Sequence, residues 1–234
     1  MNRLMLLFML SFFFFSCSTR HEYMENEVKT VDLADLTKLV LHNNDGNVLI
    51  KGLEGASDIR VEVTKRVSSR LSVSDARRHV SDITVSTREK NGTVEITATH
   101  LQTFLRRHKV DLSISLPHSF DVDINVVNGD LTLVSSSRFV TINVGNGNIV
   151  ADVALQDSCS VYIGVGNGKI DLSIPSGTNA SLSTLVGTGL ISTAGILIQN
   201  QQKSKDRLSG ILGSGAGSIR LLTGNGDIEI NTLQ

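Results

Sequence analysis

Glycine-rich loops, acidic residues beside glycines, scattered histidines and a run of arginines are the features of this 234-residue chain that could carry chemistry. Gly164-Val165-Gly166-Asn167-Gly168 and the stretch 213–217 have the small residues of a phosphate cradle. Neither has GxGxxG spacing or a helical pattern after it, so both read as structural corners. Asp45, Asp130 and Asp227 adjoin such corners, where some β-roll repeats hold calcium. The matching positions in other units are Asn148, Lys169, Leu190 and Ser218, so the acidic register lapses and no metal site is predicted. His21, His42, His79, His100, His108 and His118 show no tight ligand spacing of the kind zinc requires. No GxSxG elbow is present. Asp121, Asp123, Asp152 and Asp171 could line up as the carboxylates of a polysaccharide-cleaving site, but strand alternation alone demands polar residues there. The expectation is therefore a chain without catalytic residues, metal or cofactor.

Charge supplies one further candidate. Residues 60–109 hold eleven Lys or Arg against five Asp or Glu. Arg77, Arg78, Arg106 and Arg107 are the candidate contacts with anionic headgroups, an acidic surface polymer or an envelope protein; the alternative is an ordinary solvated face. A net charge of −1 argues against a general nucleic-acid binder. Outside the first seventeen residues the aromatics reduce to Tyr23, Phe104, Phe120, Phe139 and Tyr162, few for stacking many sugars or bases.

The N-terminus predicts the compartment. Arg3 precedes an apolar run, Leu4 to Phe15, broken only by Ser11, and Ser16-Cys17 follows. That order is the pattern of a secretory signal, and the run is shorter than the roughly 20 residues a membrane span needs. Phe14-Phe15-Ser16-Cys17 resembles the lipobox of bacterial lipoproteins, departing from it at Phe14, where that motif usually has Leu. The resemblance implies that Cys17 is acylated, against the alternative of an ordinary cleaved signal with a chance cysteine. The predicted division is a signal peptide (1–16), a lipid-anchored tether (17–27), an N-terminal β part (28–118) and a Gly-corner β-repeat part (119–234). Cys159, between alternating apolar stretches, reads as a buried thiol.

Internal repetition predicts how the chain is organised. A small turn ending in glycine recurs at Gly46, Gly129, Gly147, Gly168, Gly189, Gly217 and Gly226. Two residues after each stands Val48, Leu131, Ile149, Ile170, Ile191, Ile219 or Ile228. Asn-Gly and Asp-Gly tolerate positive φ, and alternation such as Ile170, Leu172, Ile174 against Lys169, Asp171, Ser173 makes one face apolar. Each unit reads as two short strands around a glycine corner, unable to bury its apolar face without a neighbour. Anchor gaps of 18, 21 and 21 residues suit one coil of a stacked solenoid, although Asn-Gly is also a hairpin signal. The predicted fold is all-β: a parallel β-solenoid or β-helix-like repeat array with a more irregular antiparallel N-terminal part and one short helix. That helix falls within 72–80, a hairpin joins 83–85 to 94–96 across Asn91-Gly92, and 199–206 reads as a polar projecting loop.

These residues resemble the bacterial "putative adhesin" domain family, which in turn resembles the head domain of autotransporter adhesins. Asp45-Gly46, Leu116-Pro117, Gly145 to Ile149, Gly166 to Ile170 and Gly210 to Ile230 carry the resemblance, which spans about residues 30 to 234. It implies a β-solenoid-like fold outside the cytoplasmic membrane and a non-enzymatic structural or adhesive role at the cell surface. An accessory role in envelope-stress signalling is the alternative. A carbohydrate-active enzyme on a β-helix is the more distant one.

Overall fold

The structure is a computed structural model and describes residues 20–33, 35–135, 137–155 and 158–233. Its order begins with strands β1 (His21–Asp32), β2 (Lys38–Asp45), β3 (Val48–Leu53) and β4 (Asp58–Ser69). Helix α1 (Val73–Arg78) and a 3-10 turn (Val80–Asp82) lead to β5 (Thr84–Lys90), β6 (Thr93–Thr99) and β7 (Arg106–Pro117). Pairs around a corner follow: β8 (Asp121–Asn128) with β9 (Leu131–Ser135), and β10 (Phe139–Asn146) with β11 (Ile149–Val153). The next are β12 (Ser160–Asn167) with β13 (Ile170–Ile174), and β14 (Ala180–Thr188) with β15 (Ile191–Ala194). A hairpin of β16 (Gln199–Lys203) and β17 (Arg207–Leu212) precedes the closing pair, β18 (Gly217–Asn225) and β19 (Ile228–Thr232).

Two mixed sheets result, one of nine strands (β1-β4-β7-β3-β9-β11-β13-β19-β15) and one of ten (β16-β17-β14-β18-β12-β10-β8-β2-β6-β5). Each corner carries the chain from the ten-stranded sheet into the nine-stranded one. Alternating aliphatics from both sheets meet in a single core, and among the described residues the buried hydrophobic ones run from Val31 to Ile230. The aliphatics two places after the corners fall into one in-register row: Val48, Leu131, Ile149, Ile170, Ile228 and Ile191. All six are buried, and each contributes about 1.5–3 kcal/mol of apolar transfer, an upper estimate against a fully extended unfolded chain.

The corner motif V-G-N-G-x-I is accounted for position by position. Gly46, Gly129, Gly147, Gly168, Gly226 and Gly189 take φ between +126° and +148° and lie in a column. A Cβ on Gly147 would overlap the Gly129 carbonyl oxygen and stand 2.6 Å from the carbonyl carbon, so only glycine fits. The glycine two places earlier forms a second column, where a Cβ on Gly166 would lie 2.5 Å from the Gly145 oxygen. Between them runs an amide ladder: Asn225 donates to Asn167, Asn167 to Asn146 and Asn146 to Asn128, each at 2.8 Å, and Asn128 to Asp45 at 3.0 Å. Each amide satisfies its neighbour, which leaves no orphan at the turn.

Several expectations need correction. The unit 217–232 is inserted between 160–174 and 180–194, so spatial order is not chain order: β18 pairs with both β12 and β14. Gly217 is not a corner. It begins β18 opposite Ala180, and a Cβ there would stand 2.8 Å from the Cys159 sulfur. Its near-repeat with Gly226 spans a strand, not a coil. Residues 21–27 of the expected tether are strand β1, paired antiparallel with β4. The expected polar loop is half strand: β16 is exposed throughout and pairs only at the sheet edge, so no face needs apolar residues. Helix α1 lies within 72–80, with the Ser72 hydroxyl accepting the Asp75 N–H at 3.0 Å. The hairpin turn places Asn91 and Gly92 both at positive φ, and Cys159 is buried. Cys17 and the whole signal segment lie outside the described residues.

Candidate functional site

Of the acidic residues singled out by sequence, all but Asp152, which lines a surface trough, are occupied by structure. Asp130 accepts the backbone N–H of Asn148 at 2.7 Å, and Asp227 accepts that of Leu190 at 2.8 Å. Asp45 receives the Asn128 and Gln102 amides. On the strand faces, Asp121 accepts the Phe139 N–H, Asp123 faces Lys38 at 3.6 Å, and Asp171 accepts from Asn231 at 2.9 Å. Each carboxylate ties one unit to the next. Among the described residues no three His, Cys, Asp or Glu groups converge to hold a metal. A shallow trough of about 430 Å³ lies on the ten-stranded sheet where Gly145, Gly164 and Gly166 lack side chains, with Tyr162, Asn125 and Asn143 at its walls. It brings no titratable pair together.

The structure separates the four candidate arginines. Asp75, buried at the start of α1, accepts from Ser69 Oγ at 2.6 Å and from Arg106 Nε and Nη2 at 2.8 and 2.9 Å. This fork, and then the Ser69 hydroxyl, hold the Asp75 carboxyl well below the usual carboxylate range, and Asp75 in turn raises the Arg106 pKa. Arg106 is therefore a structural clamp and not a surface contact, which corrects its place among the candidates. Arg78 is exposed but reaches the same carboxylate at 3.5 Å. Arg77 is exposed, its guanidinium carbon 5.8 Å from the centre of the Tyr23 ring. Arg107 is exposed and in no ion pair among the described residues. Lys65 and Arg66, in the same basic run, are paired with Glu27 and with Glu22 and Asp111.

Folding brings in residues that sequence reading missed. Strands β1, β4 and β7 align His21, Ser69 and Arg106 in one row. The next row therefore gathers Arg20, Arg70 and Leu105, with the Arg70 N–H donating to the Leu105 carbonyl at 3.0 Å. Arg70 lies 4.3 Å from the Phe104 ring centre. Arg20 has its pKa lowered by burial first and then by Arg107 and Arg70, and its Nη1 is buried without a partner. Around these cations Leu71, Val73, Leu101, Phe104 and Leu105 are exposed, Leu101 and Phe104 each 78% so. The signal was present as Leu101-Gln102-Thr103-Phe104-Leu105, an apolar cluster that fits no strand alternation.

No family model matches the chain, and no curated protein matches it. Among solved structures, the chain is similar to a "putative cell adhesion protein" from Clostridium sporogenes. The two are 13% identical with a TM-score of 0.66, covering 90% of this chain and 100% of that one. A "putative adhesin" from Bacteroides fragilis is 13% identical over 88% of this chain and 97% of that one, with a TM-score of 0.27. One from Parabacteroides distasonis is 10% identical over 88% and 97%, with a TM-score of 0.26. At these identities the likeness to the clostridial protein is one of fold, and the fold it shares is the two-sheet all-β body described above.

Proposed function

We propose that this chain is a non-enzymatic bacterial envelope lipoprotein, anchored through Cys17, whose body is a two-sheet β-solenoid that presents surface for structural or adhesive contacts. One observation carries the reading: the acidic and amide groups at the glycine corners are spent in joining one unit to the next. The glycine columns, the amide ladder and the acceptor carboxylates run along the stack through the same corner, spacing coils that pair in parallel and in register. Such an array is a rigid scaffold whose outward faces mix short polar side chains with exposed residues such as Val127, Phe139 and Val150. Fold alone does not fix function, but the clostridial protein of shared fold is itself described as a "putative cell adhesion protein". The start of β1 at His21 leaves three residues between it and Cys17, so an acylated Cys17 would hold the body directly against the bilayer. Incubation on a glycan array with analysis of released sugars tests the reading. Retention without cleavage is expected, and turnover of any glycan would overturn it. In cells, Cys17→Ala should abolish fatty-acid labelling and release the protein from the membrane fraction.

A further inference from the structure

The end of the molecule that carries Arg20, Arg70 and Arg107 poses two physical problems that one partner solves. Arg20 and Arg70 adjoin the row of His21, Ser69 and Arg106 on one side, Arg107 adjoins it on the other, and none of the three has an ion-pair partner among the described residues. Like charges held together need an anion to be comfortable. Interleaved with them, Leu71, Val73, Leu101, Phe104 and Leu105 face water as an apolar cluster, the kind of surface that marks a contact site. A soluble polyanion would neutralise the arginines and leave the leucines and Phe104 wet. The boundary between anionic headgroups and acyl chains satisfies both.

We propose that this end is a membrane seat. Leu101, Phe104 and Leu105 enter the interface of an anionic bilayer while Arg20, Arg70 and Arg107 contact its headgroups. The inference deepens the reading of an anchored envelope protein and rests on it for its geometry. Arg20 belongs to the patch, and Cys17 stands three residues before it, with the apolar run Leu4 to Phe15 beyond. Three residues of fully extended chain reach about 11 Å, so anything that holds Cys17 at a bilayer holds this end there as well. The seat also gives the array an orientation. From β6, beside the seat, to the edge strand β16 is eight strand spacings, or about 38 Å. The hairpin of β16 and β17 is then the part most remote from the anchoring end.

The test uses the chain from Ser18 onward, which contains the core of the described residues and carries no lipid. Co-sedimentation is measured with vesicles of phosphatidylcholine alone and with phosphatidylglycerol added, at low and high salt. The unaltered chain should prefer phosphatidylglycerol vesicles, and salt should weaken the preference. Each basic residue at an anionic surface is worth about fivefold in partitioning, so Arg20→Gln, Arg70→Gln and Arg107→Gln together should lower binding on the order of a hundredfold. Leu101→Ser with Phe104→Ser should lower it at least about tenfold. Both variants alter exposed side chains apart from the half-buried Arg20, and matching thermal melts would confirm intact folding. Equal binding to both vesicle types overturns the proposal. Undiminished binding by the serine variant also overturns it, leaving a charge-only contact such as a soluble polyanion makes. Because the assayed chain is unlipidated, either failure leaves the anchoring through Cys17 to be judged by its own labelling experiment.

Discussion

Substitution of one corner glycine is the sharpest probe of the stacked array. In Gly147→Ala, the new Cβ meets the Gly129 carbonyl, with the carbonyl carbon at 2.6 Å and Asp130 N at 3.2 Å. Ordinary carbon–carbon contact is about 3.5–4.0 Å, so the two neighbouring corners must part by about 1 Å locally. The hydrogen bonds across that seam, Gly129 N–H to Asn146 O (2.9 Å) and Leu131 N–H to Asn148 O (2.8 Å), would be stretched beyond useful length. Their loss costs about 1 kcal/mol each, and alanine at φ +148° adds about 1–3 kcal/mol of backbone strain. The sum is about 3–5 kcal/mol, which for a domain of this size lowers the melting temperature by roughly 6–20 °C. Gly177 supplies the control, since nothing lies within 4 Å of a Cβ there and its φ is not positive. Gly177→Ala should melt at or slightly above the unaltered protein, because it restricts the unfolded chain. Thermal denaturation followed by circular dichroism reads both. If Gly147→Ala melted within two degrees or so of Gly177→Ala, the glycine column would not be a stacking contact.

Other consequences follow from individual contacts. His100 and His108 are buried with ring centres 5.9 Å apart, and burial lowers both pKa values against the opposing pull of Asp45 and Asp82. Their neutral forms are favoured in the folded state, so stability is full above the unfolded His pKa of about 6.5 and falls as pH drops below it. The melting temperature should decline between pH 7 and 5, and His100→Gln with His108→Gln should flatten that decline. Arg106→Gln should destabilise the fold measurably by stranding the Asp75 carboxylate, whereas Arg107→Gln should not, and denaturant midpoints would separate them. Strand order is open to cross-linking. In a Cys159→Ala background, Ser160→Cys with Ser218→Cys should form a disulfide, because those residues are register partners on adjacent strands. Ser160→Cys with Ser181→Cys should not, because Ser218 lies between them; the reverse pattern would restore chain order to the stack.

How far the fold was legible depended on whether its cause is local. Alternation, positive-φ turns and capping are set by neighbours in sequence, so the Asn91-Gly92 hairpin, the Ser72-capped helix and the glycine corners could be read directly. The order of coils could not. Val144-Gly145-Asn146-Gly147, Val165-Gly166-Asn167-Gly168 and Thr223-Gly224-Asn225-Gly226 present almost the same edge to a neighbour, so no local residue tells a coil which one it abuts. The irregular gap before Gly217 was the only trace of the insertion. The basic segment failed differently: charge was visible in the sequence, but its partners were not. Only the fold shows that Arg106 is spent on Asp75 while Arg20, nearly ninety residues away in sequence, joins Arg107.

The proposed anchor at Cys17 is the point on which the proposed orientation of the body turns. The direct measurement is the intact mass, with N-terminal fragment analysis, of the protein extracted by detergent from bacterial membranes. A mature chain beginning at Cys17 with acyl groups on that residue is predicted. An unacylated chain recovered from the soluble fraction, whatever its first residue, would contradict the account.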